Sequence, residues 1–212
     1  IRRGTAVTAA VCDDASNRWR LTLSTASADS GSSSNAAADQ EEAAVEARVV
    51  VACGGLHGDA VEALHRPPPF HITPRRGDFV LFDETARASL GEMPLGGVPS
   101  ATSRGVYVWR SVHGIVACGP TAEAVEERTT PPRATSASVR AALREAAVAA
   151  VPALAEAAVA DTYAGLRPGC DVSRDYQIAR AAGSSWVSVG AIRSTGLTAS
   201  LGIARHVAAL CE

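Results

Sequence analysis

The sequence predicts a mixed α/β fold in which two α/β segments flank an antiparallel block. Three observations predict it. A β-branched run, Arg48-Val49-Val50-Val51-Ala52, ends in Cys53-Gly54-Gly55 and reads as a buried parallel strand meeting a turn. From 70 to 131 the apolar period changes to two, the period of half-buried antiparallel strands. From Ser185 to Leu210 the chain returns to strand, loop and helix.

Composition sets outer bounds. The chain has 212 residues, 47% of them hydrophobic, enough for one large domain or two small ones. A formal net charge of -2, with no basic block, argues against nucleic acid as the main partner. All 20 cationic side chains are arginine, so Schiff-base chemistry, a P-loop lysine and a lysine base are excluded. The longest strongly apolar stretch, Ala146 to Ala155, contains Pro152 and is too short to span a bilayer. Cysteines 12, 53, 118, 170 and 211 show neither CxxC nor zinc-ligand spacing, and read as free, mostly buried thiols. Cytosol and mitochondrion both fit free thiols.

Residues 5–11 and 18–24 read as two short strands, with Trp19, Leu21 and Leu23 on the inner face of the second. Asp13 to Asn17 supplies turn chemistry between them. Residues 24–44 are small, polar and of low complexity, and are expected to be a disordered insert. Asp59 to Leu64 reads as a short helix, ended by Arg66-Pro67-Pro68-Pro69. Within the block, HITPRRGDFVLFD alternates. VYVWR (106–110) and IVACG (115–119) form a hairpin turning at Ser111 to Gly114. Residues 136–150 read as a helix with Val139, Leu143, Ala146 and Ala147 on its stripe, stopped by Pro152. Asp161 to Arg167, Tyr176 to Arg180 and Ser185 to Val189 read as strands. The last helix is expected to be amphipathic, its apolar stripe carrying Leu197, Leu201, Ala204 and Ala208, with Ile203, Val207 and Leu210 beside it. Trp19, Trp109 and Trp186 are expected in the core, and His65 and His206 at the surface.

Candidate chemistry concentrates in a few places. Ser194 and Thr195 stand where the last helix is capped, and Gly196 permits close backbone approach there. Such a helix start suits a ligand that carries or develops negative charge, although an ordinary capped helix fits equally well. Ala52-Cys53-Gly54 is either a strand end passing a cofactor or a tight turn. Arg167, in Gly165-Leu166-Arg167-Pro168, and Arg75 are candidate clamps for an anionic group, with a solvated arginine as the competing reading. If the HITPRRGDFVLFD stretch is a strand, one of Arg75 and Arg76 faces solvent. His113, in the hairpin turn, is the candidate proton carrier. No metal site stands out.

RVVVACGGLHGDAVEAL, HITPRRGDFVLFDE, VHGIVACGPTAE, YAGLRPGCD and VGAIRSTGLTASLGIARHVAAL, in this order, resemble FAD-dependent oxidoreductases of the D-amino-acid-oxidase superfamily. The segments most resemble the branch of glycerol-3-phosphate dehydrogenase and L-2-hydroxyglutarate dehydrogenase-like proteins. The resemblance implies a Rossmann-like FAD-binding layer flanking an antiparallel substrate-binding sheet. It divides the chain at 1–66, 67–183 and 184–212, the first and last parts belonging to the FAD-binding layer. It implies FAD as cofactor, a small anionic substrate such as a 2-hydroxy acid or glycerol 3-phosphate, and hydride transfer from substrate to flavin. By carry-over, Gly190, Arg193, Gly196, Leu197 and Thr198 lie against the flavin, with Ala52, Cys53 and Gly54 near the cofactor. Val7 belongs to the strand meeting the adenine; Arg167 holds the substrate's acidic group, with Arg75 and His113 lining the cavity.

Family members begin with strand-GxGxxG-helix, where glycines and a helix start bind the FAD diphosphate. Nothing in this sequence supplies that unit, and the chain opens at Ile1, so it reads as the C-terminal part of a longer flavoprotein. Two other readings stay open. One is a remnant unable to bind FAD; the other is an amine or amino-acid oxidase of the same superfamily.

Overall fold

Short polar turns and alternating apolar residues build the first part of the chain. In the computed structural model, which describes residues 1–13, 15–25, 42–97, 105–128 and 133–212, the chain forms two units. The first comprises 1–72 and 170–212, the second 73–169.

In the first unit, β1 (Thr5–Asp13) and β2 (Arg18–Thr25) pair antiparallel, with Cys12 opposite Trp19. Asp13 closes the turn by accepting from the Ala15 N–H (3.0 Å) and the Ser16 hydroxyl (2.6 Å). Asn17 takes the left-handed conformation (φ 49°), which asparagine tolerates. A third strand, β3 (Glu42–Ala47), pairs along β2 from Ser24–Glu42 to Trp19–Ala47. The expected insert therefore stops short at both ends: residues 24–25 and 42–44 are strand, and 26–41 lie outside the described residues. An alanine-rich run has little strand preference of its own, so pairing with β2 decides its state.

The second sheet of this unit is β4 (Val50–Ala52), β12 (Trp186–Gly190) and β11 (Gln177–Arg180), in the order β11-β12-β4. β4 and β12 are parallel, with Ala52 opposite Ser188, so both strands end on the same side. β11 is antiparallel to β12, with Gln177 opposite Gly190. The stretch 170–183, which the sequence analysis assigns to the antiparallel domain, therefore joins the first unit through this ladder.

Helices α1 (Gly58–Glu62) and α3 (Gly196–Cys211) complete the unit. Its core gathers Ala10, Trp19, Ala52, Ala181 and Trp186, with Leu21, Val50, Val61 and Leu64 packed against them.

His65 is not at the surface. Its ring lies against Trp186 (centroids 4.1 Å apart) and edge-on to Trp19 (5.0 Å). Glu62, 1% exposed, accepts from the Trp186 indole (3.0 Å), the Ser188 hydroxyl (2.6 Å) and both Nε and Nη2 of Arg66. Burial pushes the Glu62 carboxyl up, but these hydrogen bonds and the Arg66 charge outweigh it and hold it below its usual range.

The second unit is a six-stranded sheet. β10 (Val159–Cys170), β5 (Ile72–Phe82), β8 (Val116–Gly119), β7 (Tyr107–Arg110) and β6 (Leu95–Gly96) follow in that order, and β9 (Glu123–Ala124) pairs with β5. The alternation of β5 sends Val80 and Phe82 to one face, where Val108, Val116 and Cys118 join them. Against this face packs α2 (Ala137–Ala150) through Leu143 and Ala147, as the stripe predicts. Ser136 caps α2 by accepting from the Val139 N–H (3.3 Å). Burial lifts the Cys118 thiol to about 12, whereas Cys53 is exposed rather than buried.

Arg76 is buried, and its guanidinium grips Asp78 through Nε and Nη2 (2.6 Å at the shortest). Thr121 and Thr135 donate to the same carboxylate. Burial would raise the Asp78 carboxyl, but hydrogen bonds from Arg76, Thr135 and Thr121 prevail and lower it. No helix among the described residues is long and apolar enough to cross a membrane.

Candidate functional site

In the first unit, the parallel register of β4 and β12 brings two of the predicted cofactor stretches to one edge. Ala52-Cys53-Gly54 leaves the end of β4, and 190–198 leaves the end of β12. The carboxyl ends of parallel strands are where open α/β sheets bind ligands, because backbone groups there are not consumed by the ladder.

The loop then turns through two left-handed residues, Ala191 (φ 55°) and Thr195 (φ 58°), before α3 begins. Thr195 occupies the cap position but its side chain caps nothing, contrary to the sequence expectation. Its hydroxyl points to the Ser194 carbonyl (2.6 Å) and the Tyr176 phenol (2.6 Å). The N–H groups of Gly196, Leu197 and Thr198 therefore have no side-chain cap, and the first intrahelical bond joins Ala199 N–H to Thr195 O (2.9 Å). This is a set of donors with the helix dipole behind it, suited to a negative or acceptor edge.

The glycines of this region have internal neighbours. A Cβ on Gly190 would run into the Phe70 ring, and one on Gly54 would meet Val61 Cγ2 at 2.9 Å and Gly58 Cα at 3.0 Å. One on Gly196 would meet Ile192 Cγ2 at 2.7 Å. Tight packing alone therefore requires all three, and Ala52-Cys53-Gly54 is a tight turn as well as a strand end. Arg193 Nε donates to the Arg174 carbonyl (3.0 Å).

The helix α3 turns the other way from the expectation. Leu197 (95% exposed) and Leu201 (81%) face outward, and Ile203, Val207 and Leu210 are half-buried instead. The helix is apolar nearly all round, so two stripes have the same period and sequence alone cannot choose between them. Val7 lies in the other sheet of the unit, exposed, at a bulge where the register shifts between Val7 and Ala9.

In the second unit the face of the sheet opposite α2 carries Arg75, Gly77, Phe79 and Leu81 from β5. Arg167 reaches across from β10 and lies over Gly77, where a Cβ would collide with its Nη2. That Nη2 donates to the carbonyls of Thr121 (2.6 Å) and Arg76 (3.2 Å), which fixes the plane of the guanidinium. Arg75 Nη2 donates to the Ala122 carbonyl (3.1 Å), so the two arginines flank the same 121–122 segment. Of the adjacent pair, Arg75 is the half-exposed one, as alternation requires.

Tyr163 stacks on Phe79 (centroids 4.4 Å, planes 9° apart), and Trp109, half-buried rather than in the core, meets Phe79 edge-on at 5.9 Å. Burial pushes the Tyr163 phenol up. His113 is not part of this group. It is exposed at the tip of the β7–β8 hairpin, beyond the Leu81–Ala117 pair, on the order of 20 Å along the sheet from Gly77.

Sequence reasoning missed Tyr176, Phe70 and the Phe79–Tyr163 pair. Each acts across a long sequence separation, and only an unexplained glycine (Gly77, Gly119 or Gly190) hints at a side chain lying over it.

The chain is similar to known proteins over nearly its whole length. The glycerol 3-phosphate dehydrogenase of Caloramator mitchellensis is 29% identical over 163 residues, 76% of this chain and 33% of that protein. The FAD-bound L-alpha-glycerophosphate oxidase of Mycoplasma pneumoniae superposes with a TM-score of 0.75 at 22% identity, over 98% of this chain and 50% of that one. Glycine oxidase of Bacillus cereus gives 0.70 at 19% identity, over 98% and 49%. These two share its fold, and the chain spans about half their length. A family model described as DAO, FAD dependent oxidoreductase, matches residues 1–210, and the chain belongs to that family.

Proposed function

We propose that the protein containing this chain is an FAD-dependent oxidoreductase acting on a small anionic 2-hydroxy acid or polyol phosphate such as glycerol 3-phosphate. One observation carries the reading: the uncapped start of α3 stands at the shared end of β4 and β12, and the family is flavin-dependent. Those residues fit FAD. The backbone N–H groups of Gly196, Leu197 and Thr198 would hold an acceptor edge of the ring, and Cys53 and Gly54 would line the neighbouring strand end. When bound, FAD supplies the two-electron acceptor that amino-acid side chains lack.

Arg167 is assigned the substrate's carboxylate or phosphate. Its guanidinium is held in one plane by two carbonyls, so little of its freedom remains to be lost on binding. Arg75 adds positive charge on the same face. Gly190, under the Phe70 ring, and Arg193, tied to the Arg174 carbonyl, support the loop that leads to α3, and Val7 keeps its assignment to the strand that would meet the adenine. His113, at its hairpin tip, receives no role in proton transfer.

Anaerobic mixing of the flavin-loaded, full-length protein with candidate substrates tests the proposal. Glycerol 3-phosphate or a 2-hydroxy acid is expected to bleach the flavin, and glycine is not. Bleaching by glycine alone would favour the amine-oxidase reading, and a protein that takes up no flavin would be the remnant.

A further inference from the structure

We infer that Tyr176 is a positioning residue for the cofactor: its phenol holds Thr195 in the left-handed conformation that keeps the start of α3 open. The inference rests on the reading above, in which the flavin is held at that helix start.

Threonine is an unusual residue for this conformation. Its branched Cβ crowds the backbone in the left-handed region, where glycine or asparagine is the common choice. Relaxed to an extended conformation, Thr195 would be an ordinary cap, and its hydroxyl would accept from the helix N–H groups two or three residues on. That alternative closes the donors proposed for the flavin. Thr195 therefore has two arrangements, one self-capped and one open, and the structure shows the open one.

Tyr176 is what distinguishes them. Its hydroxyl donates to the Ser194 carbonyl (2.6 Å) and lies 2.6 Å from Thr195 Oγ1, which is itself 2.6 Å from the same carbonyl. Two hydroxyl protons thus serve a triangle of three oxygens, and the Thr195 hydroxyl is drawn away from the helix. The adjoining Arg174 carbonyl takes the Arg193 guanidinium (3.0 Å), so the segment before β11 ties the loop at two points. Tyr176 is half-buried and touches none of the first N–H groups of α3, so it acts through Thr195.

The test is equilibrium titration of FAD into the full-length apoprotein, followed by flavin fluorescence. Four forms are compared: wild type, Tyr176→Phe, Thr195→Gly and the double variant. Tyr176→Phe keeps the ring and removes only the hydroxyl. It is expected to weaken FAD binding about tenfold, the effect of one good hydrogen bond. In the Thr195→Gly background the same change is expected to alter affinity by less than about twofold, since glycine neither resists the conformation nor caps the helix. Unchanged affinity in Tyr176→Phe would overturn the inference, and so would an equal loss in both backgrounds. A wild-type protein that takes up no FAD would overturn the underlying reading, and the inference with it.

Discussion

At the scale of single residues, large side chains on both units lie over glycines of the adjacent strand or turn. Arg167 covers Gly77, Phe79 covers Gly119, Tyr107 covers Gly96 and Phe70 covers Gly190. The glycines are needed because a neighbour occupies the place of their side chain. Arg167 is therefore both a structural tie and the proposed anion clamp. Arg167→Ala is expected to raise KM for glycerol 3-phosphate about tenfold or more, the loss of one charged hydrogen bond. Flavin content should stay at the wild-type level. Steady-state kinetics and the flavin-to-protein absorbance ratio decide it; lost flavin with unchanged KM would reverse the role. The sequence singles out Arg167 as an arginine closing a strand at 161–167, whereas β10 runs on to Cys170 and Arg167 lies within it. Tyr176 was not legible, because nothing in Asp175-Tyr176-Gln177 separates a phenol that packs from one that bonds a loop 18 residues away.

At the scale of elements, α1 is coupled to two strands by side chains at and just beyond its end. Glu62 ties it to β12 through Trp186 and Ser188, and His65 follows it between Trp19 of β2 and Trp186. Burial lowers the His65 imidazole first, the Arg66 guanidinium lowers it further, and Glu62 3.9 Å away opposes both. The net shift is downward, so the folded protein favours neutral His65. Its stabilisation is complete above the ordinary histidine value of 6.5 and is lost as the pH falls through and below it. Thermal unfolding between about pH 7.5 and about pH 5.5 is expected to show a falling midpoint that is flatter in His65→Phe. Equal slopes would contradict this account. His65 looked like a surface residue because its only sequence context is the end of a short helix. Its burial is decided by two tryptophans 46 residues before it and 121 after it.

At the scale of the whole chain, the order of elements was legible because each carries its own period. The parallel run at β4, the alternation of β5, the α2 stripe and the β12–α3 pair all stand where the pattern puts them. What was not legible were choices made by tertiary pairing. β3 forms from an alanine-rich run because β2 offers a partner, β11 joins β12, and α3 turns Ile203 and Val207 inward, half-buried, while Leu197 and Leu201 stay exposed.

The central claim is that the loop between β12 and α3 holds the flavin. It is tested most directly by FAD retention through gel filtration of the full-length protein and its Gly196→Val variant. A branched side chain at Gly196 would displace the loop, since even a Cβ meets Ile192 Cγ2 at 2.7 Å. The account predicts about one flavin per chain in the wild type, and little in a variant whose circular dichroism is unchanged. Wild-type flavin occupancy in the variant, or a wild type that elutes without flavin, would contradict it.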